Sequence, residues 1–389
     1  MLQYLTAGES HGKSLVVIIE GIPANLEINI DEINDQLRER QVGFGRGDRM
    51  KIEKDHVEIL AGVRHNFTLG SPISLLIPNK DWENWQQVMA TIIDSSTIIK
   101  FEEIATSPRP GHADLAGAIK YGHKDLRNVL ERASARETAA RVAVGAIAKI
   151  LLRQFDIYII SHVIQIGEVK AKVENKSFDE IKERILISLL RCMDKEAEAE
   201  MIKLIEQAKE AGDTLGGIFE VMAIGVPIGL GSYSQWDKRF DARLAFAVMS
   251  IPAIKGVEIG LGFECAKTPG SAVHDEIFYS SRKGFFRKTN RAGGLEGGVT
   301  NGQPVVLRAA MKPIPTLRKT LASVNFQTKE PTMASYERSD VCAVPAASVV
   351  GEAVVAIELC KAMQEKFAGD SIQEMKKNYQ NYMEYVKRI

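Results

Sequence analysis

The sequence predicts a mixed α/β (α+β) protein folded as one large domain over residues 1–389. Three observations lead there. Strand-like and helix-like runs alternate along the chain with no linker, repeat or shift of composition between them. Residues 131–146, ERASARETAARVAVGA, continue into a helix with no polar face, which belongs in an interior rather than on a surface. Hydrophobic residues make up 45% and charged residues 26%, enough for a sizeable core in a soluble protein.

The central helix is organised from its start. Ser134 followed by Glu137 has the spacing of a capping box, which places the first turn near Ser134. Beyond it come small apolar side chains, Ala139, Ala140, Ala143, Gly145, Ala146 and Ala148, that let other elements approach closely. Arg132, Arg136 and Arg141 crowd the positive end of this helix, which favours negative company. Two readings stay open. The arginines bind an external anion at the helix N-terminus, or they pair with carboxylates of the same chain.

In chain order, residues 15–19 (LVVII) read as a buried strand, preceded by the loop GESHG with Ser10 and His11 side by side. Asp31 caps a short helix through Ile33 and Leu37. Residues 36–51 carry five basic against two acidic side chains and three alternating glycines, a mobile basic loop without dinucleotide-fingerprint spacing. Strands follow at 57–60 and 73–77, and 82–89 is a short helix or lid-like excursion. The turn SPRPGHAD presents Arg109 and His112 from a backbone stiffened by two prolines. Strands at 157–166 and 218–226 flank a charged helical insertion at 177–212, whose Glu and Lys residues form a solvated face and carry no chemistry. A helix at 241–249, strands at 257–263 and 304–309, a glycine-rich run at 293–298, the stiff turn KPIPT, and helices at 346–367 and beyond 371 complete the chain.

Composition excludes several classes. Lys plus Arg equals Asp plus Glu at 50 each, against a nucleic-acid binder. Cys192, Cys265, Cys342 and Cys360 form neither a disulfide framework nor zinc spacing, and no metal ligand set stands out. No apolar run reaches membrane-spanning length, the start predicts no signal peptide, and the expected compartment is the cytoplasm. What remains is His11, Arg40, Arg46, Arg49, Arg109, His112, Arg132, Arg136 and Arg338 on stiffened turns. Guanidinium groups fork onto phosphates and carboxylates, and histidines move protons near neutral pH. The residues therefore point to a phosphate- or carboxylate-handling enzyme with proton transfer.

GESHG, RQVGFGRGDRM, RPGHAD, ERASARETAARVAVGA, TNRAGGLEGG, MKPIPT and ERSDVCAVPA, in this order over nearly the whole chain, resemble the motifs of the chorismate synthase family. The resemblance implies a helical core sandwiched between antiparallel β-sheets and a homotetramer. It implies loss of phosphate from 5-enolpyruvylshikimate 3-phosphate by 1,4-anti elimination, giving chorismate. Reduced FMN is required without net redox change. NADPH would be the indirect reductant, acting through a separate flavin reductase. Flavin contacts would come from Arg132, Ala133, Ser134, Pro252, Ala253, Gly297, Lys312, Pro313, Ile314, Pro315, Thr316 and Arg338. Substrate contacts would come from Ser10, His11, Arg40, Arg46, Arg49, Arg109, Arg136 and Arg338. His112 would serve the reduced flavin near N1, His11 would donate a proton on the substrate side, and Asp340 would help remove the C6 proton. Ala133 stands where many members have serine and Pro252 where asparagine is common, so contacts there would fall to backbone.

Overall fold

A computed structural model of the chain describes residues 1–47, 53–92, 104–173, 177–337 and 339–389. Two antiparallel sheets enclose a layer of helices. The first contains β1 (Gln3–Ala7), β2 (Ser14–Glu20), β3 (Glu58–Ala61) and β4 (Ile73–Pro78) in the order β1-β2-β4-β3. The second contains β5 (Tyr158–Ile166), β6 (Val169–Lys170), β7 (Gly217–Ile224), β8 (Ile254–Ile259) and β9 (Val305–Met311) in the order β8-β9-β7-β5-β6. Between them lie α1 (Ile30–Gln41), α2 (Thr138–Arg153), α3 (Phe240–Met249) and α4 (Val344–Lys366). This is the expected α/β architecture.

Alternation builds the interfaces. Leu15, Val17 and Ile19 of β2 and Ile73, Leu75 and Ile77 of β4 point inward onto α2, while Phe219, Val221 and Ala223 of β7 point onto α4. The two central helices cross at close range. A Cβ on Gly145 would lie 2.4 Å from the Cβ of Ala353, so only glycine fits there. The polar group inside α4 is satisfied: Glu352 accepts from Ser161 Oγ at 2.7 Å and from Arg191 at 2.5 Å, and pairs with Lys149.

Local start signals fared unevenly. Ser177 and Glu180 form the reciprocal capping box at Phe178–Ile185, and the insertion buries Ile181, Ile185, Met201 and Ile205. Ser134 does cap, but its Oγ accepts from Arg136 N at 3.2 Å and starts a 3-10 turn at Ala135–Glu137. The Glu137 carboxylate turns outward to Arg141 (2.9 Å) and Thr6 (3.1 Å), so that box does not form and the α-helix begins at Thr138. The cap of α1 is Asn29, whose side chain accepts from Asp31 N at 3.0 Å; Asp31 sits in the first turn instead. The strand expected to reach residue 263 ends at Ile259, because Gly260 and Gly262 both take φ near +58° and break it.

Candidate active site

The loop between β1 and β2 meets the short helix Arg127–Arg132. Glu131, 2% exposed, holds His11 twice: one oxygen accepts from the His11 backbone N at 2.7 Å, the other faces Nδ1 at 2.9 Å. Ser10 N donates to the Glu131 carbonyl at 3.1 Å, and Ser134 Oγ donates to Ser10 Oγ at 3.1 Å. Burial pushes the Glu131 carboxyl up, but hydrogen bonds and charge from His11, with Arg127 beside it, outweigh burial and hold it below its ordinary value. Trp85 stacks on the His11 ring at 4.0 Å. Asn79, following β4, donates to the carbonyls of Glu9 and Gly12 and so fixes the loop.

Asn79 also joins this loop to the arginines. Arg136 Nε donates to Asn79 Oδ1 at 2.9 Å and its Nη1 to Asp55 at 2.6 Å. Arg40 donates to Thr138 Oγ1 and to the Ala135 carbonyl, both at 2.9 Å, with Asp55 at 3.5 Å. Arg136 and Arg40 are both buried, and Arg136 Nη2 and Arg40 Nη1 are buried without a hydrogen-bond partner. Burial pushes the Arg40 guanidinium down to about 10, with Asp55 opposing and Arg136 reinforcing the shift. It stays charged at neutral pH, and an arriving anion relieves the cost. Pairing with carboxylates of the same chain holds for Arg136, with Asp55 at 2.6 Å and Glu53 at 3.9 Å, and for Arg141, with Glu137 at 2.9 Å.

Arg46 donates to Asp340 at 2.6 Å, and Gly47 N donates to the other oxygen of the same carboxylate at 2.6 Å. Arg49 and Arg338 lie outside the described residues.

The RPGHAD turn folds on itself. Asp114 accepts from Arg109 Nε at 2.8 Å and lies 2.5 Å from His112 Nδ1. Burial pushes the Asp114 carboxyl up, but His112 and Arg109 together overcome this and hold it far below the usual carboxylate range. An ionised Asp114 requires a hydrogen on His112 Nδ1, so the Arg109 Nη2 atom 3.1 Å from that nitrogen is a neighbour and not its donor. Arg109 also donates to Thr316 Oγ1 at 2.9 Å, and Lys312 Nζ to the Gly111 carbonyl at 2.5 Å. The KPIPT turn therefore braces the RPGHAD turn. In it, Pro315 packs against Gly111 and the Ile314 carbonyl accepts from Thr214. Pro313 precedes Ile314 in the same stiff turn.

Beside these groups a cleft of about 540 Å³ opens, with Tyr4, Thr6, Arg132, Ala133, Ser134 and Pro252 among its lining. Arg132 donates to the Thr6 and Gly8 carbonyls at 2.9 and 3.1 Å; among the described residues it forms no ion pair, so its charge is free for an anion. Arg141 donates to Ser250 Oγ at 2.7 Å, holding the turn that carries Pro252. Ala253 takes a left-handed φ of +68°, and its carbonyl accepts from Lys312 N at 3.0 Å. Ser134 and Ser10 connect the cleft to the His11 pocket. Gly297, at φ +61°, sits in the turn between strands Leu295–Glu296 and Val299–Thr300 and would have open space around a Cβ.

The family profile described as chorismate synthase matches residues 2–364. The chain belongs to the chorismate synthase family. Chorismate synthase from Desulforamulus reducens is 58% identical over 390 residues, covering all of both chains. The chorismate synthases of Geobacter sulfurreducens and Brevibacillus brevis are 57% and 58% identical, again over all of both chains. A solved structure described as "Crystal Structure of Chorismate Synthase" superposes with a TM-score of 0.81 at 47% identity, covering 100% of this chain and 99% of that one.

Chorismate synthase is a carbon–oxygen lyase of the shikimate pathway, serving aromatic amino-acid biosynthesis; it eliminates phosphate from 5-enolpyruvylshikimate 3-phosphate and uses a reduced flavin. The cleft suits a flavin: its volume is that of a small-molecule site, Tyr4 and Ala133 supply apolar wall, and Arg132, without an ion pair among the described residues, supplies a cation. Asp55, Asn79, Trp85 and Thr6 carry no motif signal in the sequence, although they contact Arg136, His11 and Arg132.

Proposed function

We propose that the flavin is reduced FMN, seated in the cleft at the start of α2 against Arg132, Ala133, Ser134, Pro252 and Ala253. Lys312, Pro313, Ile314, Pro315 and Thr316 shape the neighbouring turn, and Gly297 and Arg338 belong to the same set. The substrate's phosphate and carboxylates then fall among Ser10, His11, Arg40, Arg46, Arg109 and Arg136, with Arg49 and Arg338 from segments outside the described residues. The supporting observation is the shared wall. Ser134 Oγ bonds Ser10 Oγ, so the cleft and the His11–arginine pocket are neighbours.

When bound, the cofactor would supply electron density to the allylic system and a basic nitrogen for the C6 proton. The C3–O electron pair leaves with phosphate, the ring C1=C2 pair shifts to C2=C3, and the C6–H pair forms the new C1=C6 double bond. Arg40 and Arg136 present buried donors to the departing phosphate. His11 supplies a proton on that side. Asp340, oriented by Arg46 and Gly47, assists removal of the C6 proton by the flavin nitrogen, and His112, fixed by Asp114, serves the flavin N1 edge.

We also propose that residues 1–389 act as one domain, in the cytoplasm, as a homotetramer, with reducing equivalents from NADPH through a separate flavin reductase. Ile18 and Leu60, both exposed in the first sheet, support self-association. Filling the cleft tests the flavin site. Ala133→Trp should weaken FMN binding at least about tenfold in a fluorescence titration; unchanged affinity would place the flavin elsewhere.

A further inference from the structure

We propose that Glu131 is a positioning residue for the elimination: its carboxylate locks the His11 ring so that Nε2, and never Nδ1, faces the substrate. The proposal rests on the reading that His11 acts on substrate. A histidine ring attached to a flexible glycine-flanked loop can present either nitrogen to a ligand. Here three contacts remove that freedom. Glu131 accepts from the His11 main-chain N at 2.7 Å with one oxygen, and its other oxygen lies 2.9 Å from Nδ1. Trp85 covers one face of the ring, with planes 23° apart. The carboxylate is buried and ionised, so it can only accept, and the hydrogen must sit on Nδ1. Nε2 is the atom left for proton exchange.

Glu131 is itself anchored. Arg127 reaches it with Nη1 at 3.3 Å and reaches Glu337 with Nη2 at 3.3 Å. The Arg127 guanidinium lies 5.0 Å from the Trp85 ring centroid, on the residue that stacks on His11. Three separated stretches, the GESHG loop, the helix Arg127–Arg132 and the ERSD segment, thereby converge on the orientation of one imidazole.

Two measurements test this. In the unaltered enzyme labelled with ¹⁵N-histidine, the His11 signal, assigned by its loss in His11→Ala, should report a protonated Nδ1 and an unprotonated Nε2 for the neutral ring. The opposite tautomer would overturn the proposal without any variant at Glu131. Kinetically, Glu131→Gln keeps the shape of the side chain. It should lower kcat by about 10–100-fold while KM for the phosphorylated substrate moves little. Introduced into His11→Ala, the same change should cost nothing further, because it acts only through the ring. Equal losses in both backgrounds would make Glu131 a scaffold residue and refute the proposal. A full-rate Glu131→Gln enzyme would refute it as well, while leaving the role of His11 intact. A full-rate His11→Ala enzyme would instead remove the active-site reading on which it rests.

Discussion

Arg136 joins a structural ion pair to the substrate contact proposed for it. Its Nη1 lies 2.6 Å from Asp55 while its Nη2 has no hydrogen bond. Arg136→Met should remove the nearer of the two cations beside buried Asp55, leaving Arg40 at 3.5 Å, and destabilise the fold by about 3–5 kcal/mol in urea denaturation. Millimolar inorganic phosphate should raise the melting temperature of the parent enzyme and not of this variant. His112 and Asp114 give a pH signature. The Asp114 carboxyl is held below its ordinary value, so its contribution to stability is complete above about pH 4 and is lost as pH falls through the depressed folded-state value. Asp114→Asn should lower stability at neutral pH and flatten the acid limb of the unfolding curve; an unchanged acid limb would show that the pair contributes nothing. The residues proposed for the site were legible as motifs: His11, His112, Arg40, Arg46 and Arg136 all lie in buried or half-buried polar clusters. Their partners were not. Asp55 is 81 positions from Arg136 and Glu131 is 120 from His11, and no local pattern encodes a contact at that separation.

At the scale of elements, α2 sets the geometry. Its apolar circumference was readable from sequence because burial on all sides leaves no polar stripe, and residues 139–140, 142–148 and 150–152 are indeed buried. Its start was not, because Glu137 has better partners in Arg141 and Thr6 than the backbone N–H that a capping box would offer. The same competition is absent at Ser177, where the box forms in solvent. β1 also escaped notice: it is an edge strand whose residues alternate between exposed and half-buried, without a core-facing run. Gly145 offers a test in which two effects oppose. Alanine gains roughly 1 kcal/mol of helix propensity, but its Cβ would enter Ala353. Packing should win, with Gly145→Ala destabilised by about 1–3 kcal/mol at unchanged m-value; a stabilised variant would mean that the helices can move apart freely.

For the whole molecule, the sandwich explains how motifs scattered over the sequence reach one place. The helical layer brings the start of α2 beneath the loop between β1 and β2, and the ends of β8 and β9 carry the Ser250–Ala253 and KPIPT turns toward it. The class and its interleaved strands and helices could be read from composition and periodicity; the order of strands in each sheet could not, since pairing is set by contacts between distant runs. Ile18 and Leu60 are exposed in the first sheet and belong to the proposed subunit contact. Ile18→Glu with Leu60→Glu should reduce the proposed tetramer toward smaller species in light scattering; an unchanged mass would move the interface elsewhere. The central claim is that a reduced flavin held in the cleft assists an elimination without being consumed. The most direct measurement is anaerobic incubation of the enzyme with substoichiometric photoreduced FMN and excess 5-enolpyruvylshikimate 3-phosphate, following chorismate and phosphate together. Equal amounts of both are expected over many turnovers per flavin, with the flavin still reduced at the end; one product per flavin, with the flavin oxidised, would overturn the non-consumed role of the flavin.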